Sequence, residues 1–131
     1  MLLVAAELTT LYVVRVATSA IPIKSVATGS NHAYALIPIA VLAAALAWDG
    51  WRTGSRPAPV AIGALGVIAL LIALLVDLPN AHATGLIATS ATHSETAGSS
   101  PRAGFYIETL GAVMLVIAGV SGFLLPRSPE R

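Results

Sequence analysis

The chain has no cysteine and few charged residues, and both absences narrow the classes of protein it can belong to. Without cysteine it has no disulfide framework, no thiol chemistry and no thiolate metal site. Only 10% of its 131 residues are charged, too few to cover the surface of a soluble domain of this size. The net charge of +1 gives no basic surface for nucleic acid. The sequence therefore argues against both a soluble domain and a nucleic-acid-binding protein.

Apolar residues make up 56% of the chain and occur in long runs, with a mean hydropathy of +0.85. An α-helix needs about 20 mainly apolar residues to cross a bilayer. Four segments approach that length: 2–21, 33–48, 59–76 and 104–125. We therefore predict an all-α integral membrane protein, an antiparallel bundle of four transmembrane helices that forms a single membrane domain over 1–131.

The first segment has an alternative interpretation as a cleaved signal peptide. A signal peptide has Lys or Arg before its apolar region, whereas here that region begins almost at Met1 and contains Glu7 and Arg15. We therefore expect the segment to remain as a transmembrane helix.

Basic residues between the predicted spans indicate an orientation, because Lys and Arg concentrate in short cytoplasmic loops. More of them lie on one side of the predicted bundle (Arg52, Arg56, Arg127, Arg131) than on the other (Lys24, Arg102). We predict a plasma-membrane protein with both termini in the cytoplasm. Residues 77–103, rich in Ala, Thr, Ser and Gly, then form an external loop that we expect to be mobile and solvated.

Three charged residues lie inside the apolar segments, where each costs about 2.5 to 3.5 kcal/mol unless it has a partner or water. They are Glu7 and Arg15 in the first span and Glu108 in the fourth. At ~1.5 Å per residue, Arg15 and Glu108 lie ~9 Å and ~6 Å below the outer ends of their helices. We predict that they form an ion pair, which could serve transport or only fix helix register. Glu7 could bind a proton or a cation, or could reach headgroup water instead.

Histidines in the predicted external loops suggest a possible metal site. His32, Asp77 and His82 lie near the membrane ends of their loops, and imidazole with carboxylate could hold zinc or copper. No ligand spacing such as His-x-x-x-His is present, so we do not expect a metal site there. No cofactor is predicted either.

No catalytic motif is recognisable, so we do not predict an enzyme. The favoured hypothesis is a structural or accessory subunit, or a homo-oligomer, whose partners are the lipid bilayer and other membrane subunits or itself. Small residues along the fourth span suit such helix packing: Gly104, Gly111, Ala118 and Gly122. One alternative is a small proton- or ion-coupled transporter or channel that uses Glu7, Arg15 and Glu108. The other is an extracytoplasmic metal or ligand sensor built on His32 and His82.

The predicted plan resembles two known types of membrane protein in outline. Four spans with a carboxylate in the first resemble the small multidrug resistance exporters, but the long loop at 77–103 and Arg15 depart from that pattern. Two external loops are similar to claudin-like topology, but the tryptophan and cysteine signature of that family's first loop is missing. Neither resemblance extends to a motif, so no family is assigned.

Overall fold

The computed structural model describes residues 1–18, 24–54, 57–90 and 93–125. In these ranges, helices alternate with two pairs of strands. In chain order the elements are α1 (Leu2–Glu7), β1 (Thr10–Val16), β2 (Lys24–Ala27), α2 (Thr28–Asn31), α3 (Leu36–Thr53), α4 (Pro57–Ile72), a π-helical turn (Ala73–Asp77), α5 (Leu78–Ala81), β3 (Thr84–Ser90), β4 (His93–Pro101) and α6 (Ala103–Leu124).

The four strands form one antiparallel sheet in the order β2-β1-β4-β3. The central strand β1 pairs on one side with β2, where Val13 lies opposite Ser25, and on the other with β4, where Val13 lies opposite Ser100. β4 also pairs with β3. The sheet therefore ties the beginning of the chain to the segment that leads into α6.

The prediction of an all-α bundle of four transmembrane helices is wrong. The fold is α+β, and within the described ranges two helices are long and apolar enough to cross a membrane. One is the continuous helix Pro57–Ala81, which comprises α4, the π turn and α5, and the other is α6. Only 17% and 22% of their most apolar stretches are buried, so most of their apolar surface faces outward.

The predicted first span, 2–21, contains a short helix followed by a strand. α1 ends near Thr9, whose N–H and hydroxyl both donate to the Ala6 carbonyl, at 3.0 and 2.8 Å. From there alternate side chains turn inward, and Leu11 and Val13 are buried. Alternation and the β-branched valines of this segment favour a strand. Overall apolar content alone does not distinguish this pattern from a membrane helix.

The other predicted segments agree with the structure to different degrees. The predicted spans 59–76 and 104–125 fall largely within α4 with the π turn and within α6. The predicted span 33–48 falls largely within α3, which is a helix but is not one of the two described helices that are long and apolar enough to cross a membrane. Residues 77–103, which we expected to be a mobile loop, instead contain α5 and the β3–β4 hairpin. This polar segment is structured because β4 makes backbone hydrogen bonds with strands on both sides.

Glycines allow α4 and α6 to pack with their backbones in contact. A Cβ atom added at Gly119 would lie 2.5 Å from the Gly63 Cα atom, and one added at Gly66 would lie 2.7 Å from the Val116 nitrogen. Beside this contact, α1 and α3 complete an apolar core that includes Leu3, Ala6, Leu36, Ile39, Ala69 and Ala112. One end of each long helix lies next to the sheet, since α5 and α6 both contact β1 and β4.

Candidate metal centre

Four buried polar side chains meet where the helices join the sheet. Glu7 ends α1 just before β1, and His32 follows α2, which itself follows β2. Asp77 ends the π turn shortly before β3, and Glu108 lies in the second turn of α6, after β4. Residue exposure is 1% for Glu7 and 0% for Asp77 and Glu108, and the side chain of His32 is 7% exposed. These four residues are hereafter called the acid–histidine cluster.

His32 lies at the centre of the cluster. Its Nε2 atom is 3.5 Å from Asp77 Oδ2 and 3.9 Å from Glu108 Oε1. These separations are too long for good hydrogen bonds. They match the spacing of atoms that share one ion, because ligands at about 2.0 to 2.2 Å from a metal lie roughly 3 to 4 Å apart. One ligand atom from each of the three residues lies within 4.8 Å of the other two, so the three could coordinate one metal ion.

The electrostatics of the cluster also favour a cation. Among the described residues, six of its buried atoms have no hydrogen-bond partner: Glu7 Oε2, His32 Nδ1 and Nε2, Asp77 Oδ2, and both carboxylate oxygens of Glu108. Buried polar atoms in folded proteins are nearly always paired, because each one left unpaired costs about 1 to 3 kcal/mol. Facing carboxylates add mutual repulsion, which a proton or a metal ion would relieve.

Glu7 and Asn31 lie beside two of the potential ligands: Glu7 lies beside His32, and Asn31 lies beside Asp77. Glu7 Oε1 accepts a hydrogen bond of 2.7 Å from the Leu36 N–H and lies 3.8 Å from Nδ1 of His32, on the side of the ring away from Asp77. A carboxylate that accepts a hydrogen bond from the second nitrogen of a histidine is a common support for metal ligands, and at 3.8 Å Glu7 is near enough to form that bond only after a small movement. Asn31 Nδ2 donates to Asp77 Oδ1, which leaves Oδ2 directed toward His32.

Irregular backbone brings two of the potential ligands into place. The π turn that ends at Asp77 widens the helix, which changes the direction of the residues that follow, and such turns are frequent at functional sites. After His32, Ala33 and Tyr34 adopt φ values of 53° and 60°, which non-glycine residues rarely adopt. This left-handed pair lies between α2 and α3, and the Tyr34 N–H donates to the Gly29 carbonyl at 2.9 Å. Strained backbone of this kind is found most often at functional sites.

The predicted ion pair between Arg15 and Glu108 is not formed in the part of the chain that the structure describes. Arg15 is exposed on β1, opposite Gly98 of β4, whereas Glu108 is buried next to His32. The prediction assumed a helical rise for the first segment, but a strand rises about 3.3 Å per residue and alternates its side chains. For the same reason Glu7 lies close to the sheet, not at the opposite end of the bundle.

Of the three residues considered for metal binding, His32 and Asp77 come together and His82 does not join them. His82 is exposed, and its Nδ1 atom lies 3.2 Å from the Leu78 carbonyl oxygen. Sequence reasoning did not place Glu108 with His32 and Asp77, and it did not identify Asn31 as a support for Asp77. One feature of the sequence could have placed Asp77 and Glu108 together. Both acids lie near the ends of apolar segments, and these two ends lie on the same side of the predicted bundle.

No protein-family model, curated protein or solved structure matches the chain. The chemistry of the cluster therefore follows from its own atoms. One imidazole nitrogen and two carboxylate oxygens would leave a coordination position for water or another ligand, as in metal sites that exchange ligands. Binding would require ionised carboxylates and a neutral imidazole, so protons would compete with the metal.

Proposed function

We propose that this chain is a membrane protein that binds a divalent transition-metal cation between His32, Asp77 and Glu108, and that it acts as a metal sensor. The observation that carries the proposal is the set of buried, unpaired oxygen and nitrogen atoms that face one another in the acid–histidine cluster. With both carboxylates ionised and the imidazole neutral, the three ligands would carry two negative charges, which a divalent cation would neutralise. An ion bound there would relieve both the repulsion and the missing hydrogen bonds.

The ligand types indicate which cations to test. Thiolate and thioether ligands select Cu(I), but this chain has no cysteine and the cluster contains no methionine. Imidazole suits zinc and iron, whereas carboxylate suits manganese and the harder cations. Zn²⁺ accepts both ligand types and Mn²⁺ suits the two carboxylates, so a mixed set of one imidazole and two carboxylates favours Zn²⁺ or Mn²⁺.

A membrane location is supported by the outer faces of the helices. α4 and α6 expose large apolar side chains along their lengths, among them Val67, Ile68, Leu71, Leu110, Met114 and Ile117. Trp48 and Trp51 lie near the end of α3, with their ring centroids 5.6 Å apart, and tryptophans are enriched at membrane interfaces. Glu108, the member of the cluster in α6, lies about 7.5 Å along the helix axis from Ala103, at the end of α6 next to the sheet.

Metal analysis of the purified chain tests the proposal. The protein in detergent is stripped with a chelator, dialysed against Zn²⁺ or Mn²⁺, and analysed for bound metal. We expect about one ion per chain for one of these two cations. Asp77→Asn and Glu108→Gln each remove a ligand and should abolish stoichiometric binding. Glu7→Gln keeps an acceptor for the Leu36 N–H but removes the charge beside His32, and it should weaken binding about 10- to 100-fold.

Asp49→Asn is the matched control, because Asp49 is exposed near the far end of α3 and the substitution removes the same charge. This variant should bind metal like the parent chain. The proposal fails if neither cation binds, or if Asp77→Asn and Glu108→Gln bind as tightly as Asp49→Asn. If the cluster held only protons, neither cation would bind.

A further inference from the structure

A path of polar contacts leads from Asp77 to the sheet. Asn31 Nδ2 donates to Asp77 Oδ1, and Asn80 Nδ2 faces Asn31 Oδ1 at 3.5 Å, a long and therefore weak hydrogen bond. The Asn80 carbonyl in turn accepts a 2.6 Å hydrogen bond from the hydroxyl of Ser99, a residue of β4. The backbone N–H of Ser99 also donates to the Ala83 carbonyl, at 2.8 Å, next to β3. The position of Asp77 is thereby linked to both strands of the β3–β4 hairpin.

Asn31 is suited to this place because both ends of its amide are used. The NH₂ group must face the carboxylate of Asp77, and the oxygen must face Asn80. These two bonds fix the orientation of the amide. They also allow Asp77 to present one oxygen to His32 while the other is held. A shift of Asp77 onto a metal ion would therefore move or tighten the contacts of Asn31.

The β3–β4 hairpin has little apolar anchoring of its own. Leu86 and Ile87 in β3 are 77% and 37% exposed, and within the part of β4 that the structure describes Ala97 is the buried apolar residue. Segments with few buried apolar contacts open more easily than the rest of a protein. The order of the hairpin therefore depends strongly on its hydrogen bonds, including those of Ser99.

We propose that Asn31 is a positioning residue that holds Asp77 for cation binding and, through Asn80 and Ser99, couples binding to the order of the β3–β4 hairpin. This inference rests on the proposed metal-binding function. A ligand stabilises the conformation to which it binds, and the stabilisation extends to segments whose opening displaces its ligands. The hairpin is then the part of the molecule that reports whether metal is bound.

Hydrogen exchange of the full chain in detergent, with and without saturating Zn²⁺, tests the coupling, and bound zinc is measured in the same samples. In the parent chain, zinc should slow exchange of amides in residues 84–101 roughly tenfold or more. Ser99→Ala should bind zinc with unchanged stoichiometry and lose this protection. Asn31→Ala should lose it as well and bind zinc more weakly. Ser30→Ala is the matched control, because its hydroxyl bonds to Ala27 outside the path, and it should behave like the parent.

The two measurements separate the possible failures. If the parent chain binds no zinc or manganese, the proposed function fails and the coupling fails with it. If zinc binds but does not slow exchange in the hairpin, the coupling is wrong while the binding site stands. If zinc protects the hairpin equally in the parent, Ser99→Ala and Asn31→Ala chains, the path through Asn31 is wrong. Ser99→Ala keeps the test decisive even if Asn31→Ala does not fold.

Discussion

Gly29 illustrates how closely single residues are fitted around the acid–histidine cluster. A Cβ atom at this position would lie 2.6 Å from Glu7 Oε2 and still closer to the ring of Tyr34. Glu7 itself is held by the Leu36 N–H, so it cannot withdraw without breaking that bond. Position 29 must therefore be glycine if Glu7 and Tyr34 are to keep their positions.

We expect Gly29→Ala to destabilise the protein by about 1 to 3 kcal/mol, the usual cost of overpacking a well-filled site. It should also weaken metal binding, because it displaces Glu7 from behind His32. Thermal unfolding in detergent and metal titration measure the two effects. Gly85→Ala is the control, since no atom lies within 4 Å of a Cβ there. Equal stability of the two variants would contradict the packing described around Glu7.

Polar residues of the cluster were recognisable in the sequence one at a time, but their partners were not. Glu7 and Glu108 were identified as charges inside apolar segments, and His32 and Asp77 as polar residues at segment ends. Which of them meet depends on the rise and direction of each segment. Because the first segment changes from helix to strand near Thr9, depth estimates based on a helix paired Glu108 with Arg15 and not with His32.

Among the elements, the contact between α4 and α6 joins the continuous helix Pro57–Ala81 to α6, and its two facing glycines are not equivalent. A Cβ at Gly119 would meet the backbone of Gly63 at 2.5 Å, whereas a Cβ at Gly63 would lie 3.6 Å from Gly119, an ordinary contact. Helix propensity favours alanine over glycine by about 1 kcal/mol at either position. The two glycines should therefore respond differently to the same substitution.

Gly119→Ala should lower the free energy of unfolding by about 1 to 3 kcal/mol, because one helix must move away from the other. Gly63→Ala should be neutral or stabilising by up to about 1 kcal/mol, since the added methyl group fits and helix propensity improves. Denaturation in mixed micelles, followed by circular dichroism, compares the two variants with the parent chain. The close crossing would be contradicted if Gly119→Ala were the more stable of the two.

The elements that sequence reasoning located best are those with long uninterrupted apolar runs. α4 and α6 lie where apolar segments were recognised, because an apolar run of about 18 residues or more favours a helix over a strand. The sheet was not predicted, because β1 was hidden in an apolar run and β3 and β4 in a polar one. Their pairing joins segments far apart in sequence, and no local pattern specifies such pairing.

At the scale of the whole molecule, the chain has an apolar helical part and a sheet that covers one of its ends. The acid–histidine cluster lies at the boundary between these two parts, and each strand is joined by a short segment to one of its members. This arrangement suits the proposed sensor, in which a cation bound at the boundary is reported through the sheet. The cytoplasmic location of the termini and assembly with other subunits or with itself remain predictions.

X-ray absorption at the zinc edge, on the chain in lipid nanodiscs loaded with one equivalent of Zn²⁺, tests the metal centre most directly. We predict a first shell of nitrogen and oxygen at about 2.0 to 2.1 Å with the scattering signature of one imidazole. That signature should disappear in His32→Gln and persist in His82→Gln. A spectrum without imidazole, or one unchanged by His32→Gln, would contradict cation binding by the acid–histidine cluster.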